Sequence, residues 1–148
     1  MSVDVLTETL IDRPVTEVAA FAGDPVNAPH WYVNIESADL ETAPPVAVGS
    51  RVGFVARFLG RTMRYTYEVT ELIADERLVM RTAEGPFPME TTYTWQATAN
   101  GGTHMTLRNR GRPAGVSKLV APLMARAMRR ANTKDLALLK RLLESPAG

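Results

Sequence analysis

The chain has 148 residues, 45% apolar and 22% charged, with no cysteine and a net charge of +1. That length and balance fit one soluble domain spanning 1–148 with its own core, and exclude a disordered chain. The missing cysteines exclude disulfides, thiolate metal sites and cysteine nucleophiles, and no apolar run approaches the roughly 20 residues of a membrane span.

In chain order, "SVDVLTETLI" is rich in β-branched residues and predicts a strand. It lacks the basic start and long apolar run of an export signal, so a cytoplasmic location is expected. In "RPVTEVAAFAGDP", Pro14 suits a first helical turn, and Val15, Val18, Ala19 and Phe21 leave an apolar helical face. Gly23 and Pro25 stop that helix. A second short helix fits "VNAPHWY", with Pro29 near its first turn, and "NIESADLET" predicts a strand.

"SRVGFVARFLGRTMRYTYEVTEL" predicts a hairpin turning at Gly60-Arg61. That turn sets Phe58 opposite Met63, Ala56 opposite Tyr65, Phe54 opposite Tyr67 and Val52 opposite Val69, all on one apolar face. Arg57, Arg64, Thr66 and Glu68 fall on the other face, so the sheet is antiparallel and half buried. "RLVMRTAEG" adds a strand with Leu78, Met80 and Thr82 on one side. "FPMETTYTWQATANGGTHMTLRNRG" predicts a second hairpin around a three-residue loop, Asn100-Gly101-Gly102. This register pairs Trp95 with Leu107 and Tyr93 with Asn109, and places His104 opposite Thr98 on the polar face.

From about Val116 to Glu144 the sequence predicts one long helix, in which Pro122 marks the first turn or a kink. Val120, Met124, Ala127, Ala131, Leu138 and Leu142 follow helical spacing, and Arg126, Arg130, Lys134 and Arg141 form a basic stripe. Charge is segregated: residues 1–50 hold eight acids and one base, whereas residues 101–148 hold ten bases and two acids. No nucleic-acid-binding motif accompanies the basic end, so the expected reading is an acidic part packed beside a basic one. A sheet whose apolar face meets one long helix is an α+β arrangement.

The stretches "IDRPVTEVAAFAGDPVNAPHW", "VGSRVGFVARFLGRTMRYTYEVTEL", "DERLVMRTAEGPF", "GGTHMTL" and "LALLKRLLE", in that order, carry a resemblance. The chain resembles the START and birch-pollen-allergen-like helix-grip superfamily, and within it the bacterial polyketide cyclase/dehydrase and lipid-transport branch. The resemblance implies a curved antiparallel sheet wrapped around the C-terminal helix, two short helices after the first strand, and a ligand cavity between sheet and long helix. It implies no invariant catalytic set, because such proteins include carriers, cyclases and regulatory modules.

The residues themselves nominate an apolar binding site. Met63, Met80, Met89, Met105, Met124 and Met128 all fall on expected inner faces, and methionine adapts to irregular apolar shapes. Phe54, Phe58, Tyr65, Tyr67, Tyr93 and Trp95 add aromatic lining; Thr82, Thr91 and Asn109 add polar groups aimed the same way. Those polar groups orient a ligand, or bond to each other or to buried water. His30 is read either as a base or polar contact at a cavity mouth, or as a histidine packed locally at a helix end; Trp31 is expected to anchor the rim. No carboxylate or lysine is predicted inside, so any cyclase chemistry would rest on His30, Tyr93 or Asn109 polarising a carbonyl or enol. No cofactor is expected, and two distant histidines give no metal site. Three functions follow: a carrier of a lipid, quinone or polyketide-like molecule; a cyclase/dehydratase; or a surface-interaction module using the basic stripe. Homodimerisation stays open.

Overall fold

The computed structural model describes residues 3–58, 60–85, 88–112 and 120–145, with the backbone alone at position 58. The order is β1 (Val3–Ile11), α1 (Val15–Ala22), a single 3-10 turn (Pro25–Asn27), α2 (Ala28–Trp31), β2 (Ile35–Leu40), β3 (Arg51–Phe58), β4 (Arg61–Ile73), β5 (Arg77–Glu84), β6 (Met89–Ala97), β7 (Thr103–Gly111) and α3 (Ala121–Glu144). The seven strands form one curled antiparallel sheet in the order β1-β7-β6-β5-β4-β3-β2. The long helix lies against its concave face, as the helix-grip resemblance implied.

Local chemistry accounts for these elements. In β1, Val3 and Val5 point inward while Asp4 and Leu6 point out, as the two-residue period requires. In α1, Pro14 occupies the N-cap, and the Gly23 N–H closes the last turn on the Ala19 carbonyl at 2.8 Å. A Cβ on Gly23 would come within 3.2 Å of the Trp95 ring, so only glycine lets the chain turn this close to the core. The Asp24 side chain then accepts the Val26 N–H, setting the 3-10 turn that leads into α2.

Both hairpins keep their predicted faces but shift register by two residues. Phe58 pairs with Arg61, so Ala56 faces Met63, Phe54 faces Tyr65 and Val52 faces Tyr67. Gly60, at a φ of 78°, takes the loop position just before Arg61 instead of the first position expected for it. In the second hairpin, Gly101 takes the left-handed conformation, with a φ of 83°. The three-residue loop therefore starts one residue earlier, and Trp95 faces Met105, Tyr93 faces Leu107 and Thr91 faces Asn109. A two-residue slip leaves every side chain on its own face, whereas a one-residue slip would invert the sheet. Register shifts at Thr66/Tyr67 and Val69/Glu71 bend the pairing of β4 with β5, and Thr66, expected on the polar face, is nonetheless buried.

The core runs through Val18, Trp31, Val52, Val69, Leu78, Met105, Leu107, Leu136 and Leu139, each almost fully buried. Each large apolar side chain so buried contributes about 1.5–3 kcal/mol. α3 ties down the free edge of β1: Arg129 Nη1 and Lys140 Nζ donate to the Leu6 and Leu10 carbonyls at 2.9 and 2.7 Å. Asp4 pairs with Arg108 at 2.6 Å. The segregated charge is thus met partly by acid–base pairing and partly by basic side chains capping an edge strand. The predicted start of α3, at 116–119, lies outside the described residues; Pro122 sits in its first turn. No described helix is long and apolar enough to cross a membrane.

Candidate functional site

Between the sheet and α3 lies a cavity of about 140 Å³. One lining residue, Arg57, is exposed and pairs with Glu36 at 3.0 Å. Phe54 of β3 and Tyr65 and Tyr67 of β4 form an aromatic cluster on the wall, with ring centroids 5.0–5.5 Å apart. Met63, Met80 and Met89 from the strands and Met124 and Met128 from α3 supply soft apolar lining. Thr82, Thr91, Tyr93 and Asn109 also line the cavity.

Four of the expected residues lie elsewhere. Trp31, Trp95 and Met105 are buried in the core but do not reach the cavity. His30 is exposed, with its ring 6.5 Å from Phe21, away from the cavity. Its helix spans only Ala28–Trp31, and within that single turn the neighbouring Trp31 takes the inward position. The Phe58 side chain lies outside the described residues. His104 is on the outer face, 3.6 Å from Glu8 and opposite Gln96. The basic residues Arg126, Arg130 and Lys134 line a shallow exterior groove with Leu123 and Val33.

The expected polar residues mostly satisfy one another. Thr82 Oγ1 donates to the Met89 carbonyl and accepts the Met89 N–H. Asn109 does not face Tyr93; its Oδ1 accepts from Thr91 at 2.6 Å. Tyr67 lies 3.2 Å from the same threonine hydroxyl. One hydroxyl proton cannot serve both, so Thr91 donates to the amide oxygen and Tyr67 donates to Thr91. The Tyr93 hydroxyl is bonded to that of Tyr32, 2.5 Å away. Burial pushes the pKa of Tyr32, Tyr65, Tyr67 and Tyr93 up, so all four are neutral phenols.

The largest departure from the sequence reading is on α3. Asn132 and Asp135, 5% and 2% exposed, line the cavity. The expected apolar row, with Leu138 and Leu142, is not the deepest one: Leu142 is 43% exposed, while Asn132, Asp135, Leu136 and Leu139 are buried. The carboxylate excluded from the interior is therefore present in it. Asp135 Oδ1 accepts the Val33 N–H at 2.9 Å, and burial pushes its carboxyl up to about 7 against the lowering effect of that bond. Asn132 Nδ2 is buried and has no hydrogen-bond partner among the described residues. The signal was present as the series Met128, Asn132, Asp135, Leu136 and Leu139, which keeps helical spacing but is interrupted by two polar residues. Tyr32, Asn34, Ile35, Ala56, Arg57 and Ala131 are further lining residues the sequence reading did not select.

Solved structures of the same architecture are numerous. A protein of Thermus thermophilus aligns with a TM-score of 0.81 at 21% identity, covering 96% of this chain and 99% of its own. The Zhui aromatase/cyclase of a Streptomyces species gives 0.81 at 12% identity, covering 100% and 99%. A START superfamily protein of Mycobacterium smegmatis gives 0.82 at 11%, covering 95% and 97%. At these identities the likeness is one of fold. No curated protein matches the sequence. The family described as polyketide cyclase/dehydrase and lipid transport matches residues 2–144, nearly the whole chain, and the protein belongs to it.

Proposed function

We propose that the protein binds an apolar or aromatic small molecule, such as a lipid, quinone or polyketide-like compound, between its sheet and α3. The observation that carries this reading is the cavity itself: aromatic and methionine side chains from four strands and one helix leave space where a solid core would leave none. Family membership points the same way. Native mass spectrometry of protein purified from its own host tests it. A co-purified apolar compound released on denaturation is expected. Protein that is ligand-free and gains no thermal stability from apolar aromatic compounds would sink the reading.

A second reading, a cyclase or dehydratase, is favoured by one observation: a buried carboxyl, Asp135, at the cavity wall, pushed up to about 7 by burial, which apolar binding alone does not require. Turnover of a polyketide-type substrate in Asp135→Asn, Tyr93→Phe, Asn109→Ala and His30→Ala separates the readings. Loss confined to cavity residues supports the enzyme; unchanged rates in all four variants remove it.

A further inference from the structure

The cavity lining is not uniform. Beside its aromatic and methionine side chains it carries a polar group, here called the pole, where Asp135 of α3 meets the segment after α2. At the pole, Asn132 Nδ2 is a buried donor without a partner among the described residues. A buried donor left unpaired is costly, and a ligand oxygen that accepts from it removes that cost. Beside it, Tyr32 and Tyr93 share one hydrogen bond between two hydroxyls, so one phenolic proton is left over. Asp135 uses one carboxyl oxygen on the Val33 N–H, and its other oxygen makes no hydrogen bond among the described residues. Asn132 and the spare phenol donate at any pH near neutrality, a protonated Asp135 adds a third donor below about pH 7, and none of these groups carries a positive charge. Among the described residues the one cation lining the cavity is Arg57, which is exposed and already paired with Glu36.

We infer that Asn132, Asp135 and the Tyr32–Tyr93 pair form a recognition pole for an uncharged oxygen of the ligand, a ring ketone or quinone carbonyl, and reject a carboxylate there. This rests on the cavity being the binding site and adds the class of ligand it selects. A ketone oxygen accepts from Asn132 and from the spare phenol and satisfies both. A carboxylate in the same place would be a buried charge with no cation among the described residues to offset it, and above about pH 7 it would also face the ionised Asp135.

The test uses three bicyclic probes of similar size on the intact protein: 1-tetralone, naphthalene and 1-naphthoate. Wild type should bind tetralone at least tenfold more tightly than naphthoate, with naphthalene between them. Asn132→Leu, close in shape but unable to donate, should weaken tetralone about tenfold, one hydrogen bond's worth, and leave naphthalene within twofold. If that variant fails to fold, the side-chain amide resonance of Asn132 in wild type is the second readout. It should shift on adding tetralone and stay in place with naphthalene. Equal weakening of tetralone and naphthalene, naphthoate binding as tightly as tetralone, or an unmoved amide resonance overturns the pole. Failure of all three probes to bind instead overturns the cavity as a binding site.

Discussion

Asp135 and Thr91 are the residues at which burial and polarity conflict, and each resolves the conflict differently. Thr91 does so by bonding to Asn109 and Tyr67. Thr91→Val keeps the shape but strands the amide oxygen and the phenol, so a loss of about 1–3 kcal/mol is expected in urea unfolding with an unchanged slope. An unchanged midpoint would mean that those groups find other partners. Asp135 resolves it by holding its proton to about pH 7, against 3.8 for an ordinary aspartate. Between those values the folded chain keeps a proton that the unfolded chain has lost, so stability falls as pH rises, at up to about 1.4 kcal/mol per pH unit. Asp135→Asn retains an acceptor for the Val33 N–H and removes that dependence. The variant should match wild type near pH 4 and exceed it increasingly up to pH 7, with a constant gap above. Asp4, Glu90 and Glu144 are held low by Arg108, Arg110 and Lys140, so their contributions are lost only as pH falls below the usual carboxylate range. Those losses are common to both proteins and cancel in the comparison. Parallel pH curves for the two would refute the raised carboxyl.

Among the elements, α3 shows what spacing can and cannot settle. Its end at Glu144 and its seat against the sheet follow from the sequence pattern, but two adjacent rows of side chains could each face the core. The structure selects the row of Leu136 and Leu139 over that of Leu138 and Leu142. Leu139→Ala should therefore cost about 2–5 kcal/mol, whereas Leu142→Ala at a 43% exposed position should stay within about 0.5 kcal/mol. Similar losses at both positions would mean that the helix is rotated from the orientation described. The hairpins behave differently. Their faces were legible in the alternation of apolar and polar residues; their register was not, because it depends on which glycine takes the left-handed turn position.

For the whole molecule, the proposed function makes one interior serve both folding and binding. A ligand held only by the folded state raises stability by RT ln(1 + [L]/Kd), about 2.7 kcal/mol at one hundred times Kd. Ala131 lines the cavity from α3. Ala131→Phe should fill part of that space and reduce the thermal shift given by 1-tetralone at least tenfold in apparent affinity, while the protein remains folded by circular dichroism. A full thermal shift in this variant would place binding elsewhere.

By itself, the sequence determined the order of strands and helices, the inward face of each strand and most of the aromatic and methionine lining. These follow from the two-residue period of a strand, which even a two-residue slip preserves. Only the tertiary structure decided the polar part of the cavity lining. Whether Asn132 and Asp135 face water or the interior depends on the rotation of α3, on the Val33 backbone brought beside it from a hundred residues away, and on the low dielectric that keeps a proton on a buried carboxyl. Spacing along the chain encodes none of these directly, because each arises from groups that meet only when the sheet closes around the helix.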